Sequence, residues 1–255
     1  MKTTKYLILL KIVWLSMHLQ AFGFNPDSLV HRANQAYAEG NYEQAIEWYS
    51  AVVDSGYESA ALYYNLGNAC FKSNKNTRAI LNYERAKLLD PTDDEILFNL
   101  ELARAFVVDE IEPLPEFILV TWFRQLIQSF KVDTWAWMSV GLFTAGLFFF
   151  ILYLFSRKYA VKKSGFIFGI IATLFSLFAF SMAGLRKNWQ ENHNTAIIFE
   201  PNVTIKSAPD ESGTNLFVLH EGTKVKVVDK VGEWNEIVIA SGNKGWLRAE
   251  SVEPI

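Results

Sequence analysis

Few residues of this chain have the types and spacing that catalysis or metal binding requires. The 255-residue sequence contains a single cysteine, Cys70, which excludes an intrachain disulfide framework, and four histidines. His31, His193 and His220 show no metal-ligand spacing with Cys70 or with one another, and His18 lies in an apolar N-terminal segment. We therefore predict no metal site, no cofactor and no catalytic centre, and we expect that the protein is not an enzyme.

The remaining acidic and thiol groups each have a structural explanation. Asp93, Asp94 and Glu95 precede an apolar helical pattern, and carboxylates at a helix start are stabilised by the helix dipole. This favours helix capping over a cation site. Cys70 lies between two apolar residues of a predicted helix, which favours a small buried thiol over a nucleophile.

Two apolar runs, residues 134–155 and 164–185, organise the rest of the chain. Neither run contains a charged residue, and at about 1.5 Å per residue each gives a helix of about 33 Å, enough to cross a hydrocarbon layer of roughly 30 Å. The runs lack the ionisable residues that mark an ion or proton path, which argues against a transporter. The short connection at residues 156–163 predicts a tight antiparallel transmembrane hairpin.

The charges around the hairpin predict its orientation. Short loops rich in Lys and Arg stay on the cytoplasmic side of a membrane. The predicted loop contains Arg157, Lys158, Lys162 and Lys163. Arg186 and Lys187, which follow the second run, oppose this orientation but are fewer. We therefore expect the loop in the cytoplasm and both flanking regions outside it.

The N-terminus agrees with export. Residues 1–23 contain Lys2 and Lys5, an apolar stretch at residues 6–17 that Lys11 interrupts, and a small-x-small pattern at residues 21–23. This order is typical of a secretory signal peptide. An uncleaved amphipathic N-terminus is the alternative.

Residues 24–111 contain an internal repeat. Ala45 and Ala79 are 34 residues apart, as are Tyr49 and Tyr83, and that period is typical of tetratricopeptide helix pairs. The second unit, residues 60–93, carries most of the pattern, at Tyr63, Leu66, Gly67, Ala79, Tyr83, Ala86 and Pro91. The first unit is degenerate, and residues 94–108 are predicted to form a capping helix.

Stacked helix pairs of this kind leave a concave groove that binds peptides or partner helices. The first helix of each unit supplies the candidate groove residues Val30, Asn34, Tyr37, Tyr64, Asn68 and Phe71. The alternative is that the two asparagines are merely tolerated on the surface. The lysine of carboxylate-clamp versions of this fold is missing, so recognition of a free C-terminus is disfavoured.

Residues 112–133 form an amphipathic juxtamembrane segment. One helical face carries the apolar side chains of Leu119, Trp122, Phe123, Leu126, Ile127 and Phe130. Beside a transmembrane helix, such a face favours an interfacial helix on the outer leaflet. Packing of the same face on the repeats is the alternative.

Residues 195–255 are predicted to form a small all-β domain. Five or six short alternating segments are separated by Gly-containing turns, which is typical of a small barrel. The segments at residues 206–209, 220–225, 233–234 and 245–246 resemble the bacterial SH3-like domain. That resemblance implies binding of peptide or of cell-wall glycopeptide. Trp234 and Trp246 are candidates for a shallow aromatic ligand site; the alternative is that they complete the barrel core, which we favour for Trp246.

In the order of these segments, and in the stretches at residues 99–103, 111–116 and 133–137, the chain resembles the BatE family of aerotolerance-operon proteins. Its members are encoded beside von Willebrand-type membrane proteins and a MoxR-type ATPase. The resemblance implies a two-pass protein of the bacterial inner membrane that serves as a scaffold in that assembly, with its repeats and SH3-like domain in the periplasm.

Three functions remain open at this point. The first is a non-enzymatic scaffold whose groove holds a partner protein; the second is a peptidoglycan-binding anchor that acts through the SH3-like domain; the third is an unrecognised enzyme. A net charge of −3 shows no basic excess for nucleic acid. The expected fold class is a multidomain membrane protein of α-helical tetratricopeptide repeats, a two-helix transmembrane hairpin and a small SH3-like barrel.

Overall fold

The computed structural model describes residues 26–115, 117–192 and 194–255. The predicted signal peptide at residues 1–23 lies outside the described residues. The helices are α1 (Pro26–Ala38), α2 (Tyr42–Asp54), α3 (Ala60–Lys72), α4 (Asn76–Leu89), α5 (Asp94–Arg104), α6 (Ile118–Gln128), α7 (Val132–Phe155) and α8 (Tyr159–Glu191). The strands are β1 (Thr195–Ile198), β2 (Asn202–Lys206), β3 (Asn215–His220), β4 (Lys224–Val231), β5 (Trp234–Val238), β6 (Lys244–Arg248) and β7 (Val252–Pro254). These elements confirm the predicted fold class.

The repeat helices begin where short polar side chains can accept backbone hydrogen bonds. Ser59 accepts from the N–H of Leu62 at the start of α3, and Asp93 accepts from the N–H groups of Glu95 and Ile96 at the start of α5. Each cap satisfies donors that the first helical turn leaves free. The capping role predicted for Asp93 is thus observed.

The two helices of the second unit approach most closely at Gly67. A Cβ atom at this position would lie 2.7 Å from the ring of Tyr83, so that only a glycine leaves room for the tyrosine. Tyr83 and its counterpart in the first unit, Tyr49, are both about 1% exposed. The predicted 34-residue period therefore has a packing basis, since each unit buries one tyrosine at the same place.

Helices α7 and α8 form an antiparallel hairpin. Residues near the start of α7 contact residues near the end of α8, and the reverse. Ser139 and Ser176 form hydrogen bonds with each other, and the carbonyl of Phe149 lies against Gly165. Small residues permit this close backbone approach. Both helices are long and apolar enough to cross a membrane, with mean hydropathies of 2.1 and 2.2. The second helix, Tyr159–Glu191, extends beyond the predicted run at both ends and includes five of the eight residues of the predicted loop.

Helix α6 lies against the outer end of this hairpin. Ile127 is buried beside Trp135, whose indole N–H donates to the carbonyl of Ile127 at 3.3 Å. The guanidinium of Arg124 lies over the ring of Trp189. The rest of the apolar face predicted for this segment is largely exposed, at Leu119, Trp122 and Phe123. Helix α6 therefore contacts the hairpin and leaves an apolar surface beside it.

The C-terminal strands form one antiparallel sheet in the order β3-β2-β6-β5-β4-β1-β7. Residues 194–255 thus form seven short strands where five or six were expected. Inward-facing residues alternate with more exposed ones, as in β5, where Asn235 and Ile237 are buried between more exposed neighbours. The sheet core consists of Ala196, Ile198, Val203, Ile205, Leu219, Val225, Ile237, Ile239 and Leu247.

Strand β1 joins the sheet to the repeats. Ile198 faces the sheet core, whereas Ile197, one residue earlier, is completely buried in the core of the repeats. Successive side chains of a strand point to opposite faces. One strand therefore contributes to two cores, and the sheet packs on the second helix of the second repeat unit, α4.

Candidate functional site

The groove side chains predicted from the sequence lie on α1 and α3, at the surface of the repeat core. Val30, Tyr37, Tyr64 and Phe71 are half-buried and pack against that core. Burial raises the pKa of the Tyr37 and Tyr64 hydroxyls, so both remain neutral donors. These four residues form a partly exposed aromatic and aliphatic row along the first helices of the two units.

The two asparagines of the predicted groove have a structural partner within their own units. Asn34 Oδ1 accepts a hydrogen bond from the hydroxyl of Tyr49 at 2.5 Å. Asn68 Oδ1 accepts one from Tyr83 at 2.7 Å. Each bond joins residues 15 apart in sequence, in equivalent positions of the two units. The asparagines therefore satisfy the polar ends of buried tyrosines, which the sequence reading did not foresee.

Helix α5 extends the row. Asn99 donates to Asn68 Oδ1 at 3.0 Å and to the Tyr64 hydroxyl at 2.9 Å. Tyr64 in turn donates to Glu95 at 3.2 Å. This polar cluster fixes α5 against α3. It places the capping helix as a third wall of the groove.

Three exposed apolar residues at this wall were missed by sequence reasoning. Phe98, Leu102 and Phe106 are 69%, 44% and 61% exposed, and the Phe106 ring meets Phe71 edge-on at 5.9 Å. The signal was present in the sequence, because Phe98 and Leu102 lie 34 residues after Tyr64 and Asn68. The surface formed by Tyr64, Asn68, Phe71, Phe98, Leu102 and Phe106 is called the repeat groove below.

The opposite face of the repeats is covered by the sheet. Glu84 of α4 has a side chain only 3% exposed, and its carboxylate is bonded to Arg104 and, at 2.7 Å, to Lys224 of β4. Burial by itself would raise the pKa of Glu84, but the cations Lys224 and Arg104 hold it below its ordinary value. Ionised Glu84 therefore joins the capping helix, the repeats and the sheet at one buried point.

A second polar contact joins the segment after α5 to the sheet. Asp109 accepts hydrogen bonds from the backbone N–H of His220 at 2.7 Å and from the Thr223 hydroxyl at 2.6 Å, and it contacts His220 Nδ1 at 2.7 Å. Partial burial would raise the pKa of Asp109, but the bonds from Thr223 and His220 lower it overall. Thr77 also donates to Glu221 at 2.7 Å. Several polar contacts therefore hold the sheet against the repeats, in addition to the apolar contact of Ile197.

The two tryptophans predicted as a ligand site lie on β5 and β6. Both are half-buried, and Trp234 stacks with the guanidinium of Arg248 at 5.5 Å. The expectation that Trp246 completes the core is wrong, because its neighbours Gly245 and Leu247 occupy the inward positions. A Cβ at Gly245 would lie 2.5 Å from Ile205, which fills that space. Both rings therefore belong to the outer face of the sheet.

The chemistry of the described residues matches interaction surfaces. Burial raises the pKa of the Cys70 thiol to about 11, so it is not a nucleophile at neutral pH. Within residues 26–115, 117–192 and 194–255, no group of three or more His, Cys, Asp or Glu side chains could hold a metal ion. The surfaces that stand out are the repeat groove and the tryptophan face.

Two family matches agree with these two regions. Residues 60–93 match the tetratricopeptide repeat family, and residues 201–253 match the bacterial SH3 domain family. No curated protein matches the chain. Both families are typically non-catalytic interaction modules, with roles in protein interaction or cell-wall binding.

Proposed function

We propose that this protein is a two-pass scaffold of the bacterial inner membrane whose repeat groove holds a helix or peptide of a partner protein. Both interaction modules face the periplasm, and residues 156–163 face the cytoplasm. The partners are membrane proteins of the aerotolerance operon, that is, von Willebrand-type proteins and the MoxR-type ATPase complex, as the resemblance to the BatE family implies. No enzymatic step, cofactor or nucleic acid takes part.

The exposed apolar wall of the groove is the observation that carries this proposal. Phe98 on α5 and Phe106 just after its end are more than half exposed. Another face of α5 is already buried, at Ile96, Leu100 and Ala103. Large aromatic residues are frequent anchors of protein interfaces. Neighbouring amides of Asn68 and Asn99 would orient a partner backbone.

Contact between the modules supports a common compartment. The buried Glu84–Lys224 ion pair and the Asp109–His220 contact join the repeats to the sheet. Because the hairpin is antiparallel, its two outer ends are adjacent. The repeats before α7 and the sheet after α8 can therefore touch on one side of a membrane without unfolding.

Site-specific crosslinking in living cells tests the groove. A photoreactive phenylalanine analogue replaces Phe98 in one variant and Tyr57, an exposed aromatic outside the groove, in the matched control. We expect mass spectrometry to identify one membrane-protein adduct for position 98 and none for position 57. Equal adducts at both positions, or none at either, contradict the proposed groove.

Cell-wall binding through the tryptophan face is the second candidate. It is favoured by the bacterial SH3 domain match and by the outward position of Trp234 and Trp246. Sedimentation of the detergent-solubilised full chain with purified peptidoglycan tests it. The anchor hypothesis expects Trp234→Ala to abolish sedimentation and Phe98→Ala to leave it unchanged, whereas the scaffold proposal expects no sedimentation of either the wild type or the variants.

A further inference from the structure

A cavity of about 150 Å³ lies where the repeats, α6, α8 and the sheet meet. Its polar lining includes Glu84 and Lys87 of α4, Gln128 at the end of α6, Arg186 of α8 and Lys224 of β4. One water occupies about 30 Å³ of liquid, so the space is that of about five water molecules. A five-atom oxyanion such as phosphate fits this volume.

The side chains around the cavity carry more positive than negative charge. Lys87, Arg186 and Lys224 line it together with the carboxylate of Glu84 and with Ile255, which carries the terminal carboxylate. Glu84 is already bonded to Lys224 and to Arg104. Asp90, which attracts Arg186 from outside the cavity, forms an ion pair with Lys131. Among the described residues, neither Lys87 nor Arg186 forms an ion pair.

Arg186 carries an unused donor at this place. Its side chain is 2% exposed, and Nη2 donates to the carbonyl of Leu88 at 2.7 Å. Nε has no hydrogen-bond partner among the described residues. A buried donor without a partner is destabilising, and a buried cation more so. An anion in the cavity would remove both penalties.

Lys87 is a second cation whose charge is not fully compensated. Burial lowers the pKa of its ammonium group, and attraction to Glu84 does not restore it. The folded chain therefore holds this cation against a desolvation cost. A bound anion would stabilise its charged form.

The position of the cavity indicates which anion is available. Arg186 directly follows the second apolar run, which ends at residue 185. Gln128 ends α6, whose exposed apolar face lies beside the same end of the hairpin. In a membrane crossed by α7 and α8, the cavity lies where hydrocarbon gives way to headgroups, and the phosphates of phospholipids lie at that level.

We propose that this cavity binds the phosphate of an anionic phospholipid, with Arg186 Nε and Lys87 Nζ as hydrogen-bond donors. Lipid binding there connects the repeats, α6, α8 and the sheet through one ligand. The same oxyanion chemistry also suits free phosphate, so the test separates the two sources.

Native mass spectrometry of the full chain in dodecyl maltoside measures the lipid affinity. Phosphatidylglycerol and phosphatidylcholine are titrated separately, and inorganic phosphate is added in a thermal-unfolding arm. The test variant is Lys87→Gln, because its loss would break no hydrogen bond or ion pair with the described part of the chain. The matched control is Lys187→Gln, whose side chain is 64% exposed and lies outside the cavity.

We expect phosphatidylglycerol to bind about tenfold more tightly than phosphatidylcholine. Lys87→Gln should weaken phosphatidylglycerol binding by about fivefold, while Lys187→Gln changes it by less than about twofold. Without lipid, Lys87→Gln should melt no lower than the wild type. This opposite response of affinity and stability distinguishes a binding site from a structural contact. Arg186→Gln should weaken binding as well, but it also loses the bond to Leu88.

If inorganic phosphate alone stabilises the wild type and not Lys87→Gln, and the lipids do not discriminate, the lipid source is overturned. Equal affinity of the wild type, Lys87→Gln and Lys187→Gln for both lipids, without a phosphate effect, overturns the site itself.

Discussion

The two faces of the repeats use opposite means of interaction. The back face, formed by α4, is covered by the sheet through Ile197 and through a buried ion pair at Glu84. The repeat groove on the other side presents exposed Phe98, Leu102 and Phe106 instead. The covered face thus contains a buried ion pair beside its apolar contact, whereas the open face presents apolar side chains.

This contrast suggests a division of roles. A buried carboxylate with two cationic partners accepts few other arrangements, so it defines how the sheet sits on the repeats. An exposed aromatic row tolerates varied partners and exposes apolar area that a partner can cover. The chain therefore uses the back face for its own assembly and keeps the groove for binding another molecule.

The largest effect is expected at the back face. Glu84→Gln removes the buried counter-charge of Arg104 and Lys224, whose side chains are 35% and 38% exposed. Because hydrogen bonds to charged groups contribute about 1.5 to 3 kcal/mol each, and solvent screens both cations, we expect a loss of about 3 kcal/mol. Chemical unfolding of the full chain in detergent measures this loss. Glu101→Gln is the matched control, because Glu101 also bonds Arg104 but its side chain is 71% exposed, so we expect a change of at most about 0.5 kcal/mol. Similar losses for both variants would remove the distinction between the two faces.

At the groove, the effect should appear in binding and not in stability. Phe98→Ala combined with Leu102→Ala should weaken partner binding by about 2 kcal/mol or more, roughly 30-fold. The melting temperature should change little, because both side chains are already exposed. Co-purification from native membranes measures the loss, with Tyr57→Ala as the control. Retained partners at wild-type levels would contradict an apolar binding face.

The packing beneath the groove gives a smaller change in stability. Gly67→Leu forces a side chain into the ring of Tyr83, and overpacking of this kind costs about 1 to 3 kcal/mol. Thermal unfolding of the full chain should show a lower midpoint. Ala61→Leu, at an exposed position of the same helix, should leave the midpoint nearly unchanged. An unchanged midpoint for Gly67→Leu would show that the two helices do not meet there.

The smallest effect is expected at the polar contact of Asp109. Its pKa is lower in the folded chain than the reference value of 3.8. The ionised form therefore stabilises the docked sheet above pH 3.8, and that contribution is lost as the pH falls through the lower folded-state value. Hydrogen exchange at the backbone N–H of His220, which bonds Asp109, should accelerate relative to its intrinsic rate across this range. Asp109→Asn should remove that part of the acid sensitivity. The same acid profile in the variant would assign the effect to other groups.

Local patterns in the sequence determined the elements and most of the architecture. The 34-residue period predicted the helix pairs, because each unit packs equivalent residues such as Gly67 and Tyr83 against one another. Long uncharged runs predicted the hairpin, because chain length and composition decide whether a helix can cross a membrane. Alternating residues and turn glycines predicted the small sheet. The same period contained Phe98 and Leu102, although they were not recognised as part of the groove.

Only the tertiary structure decided how these parts fit together. Glu84 and Lys224 are 140 residues apart, and Asp109 and His220 are 111 apart, so no local spacing reveals that they meet. The outward position of Trp246 depended on Ile205 filling the space beside Gly245. The cationic cavity exists because Lys87, Arg186 and Lys224 come from three separate elements. Burial and charge pairing depend on neighbours in space, and those neighbours exist only after the chain has folded.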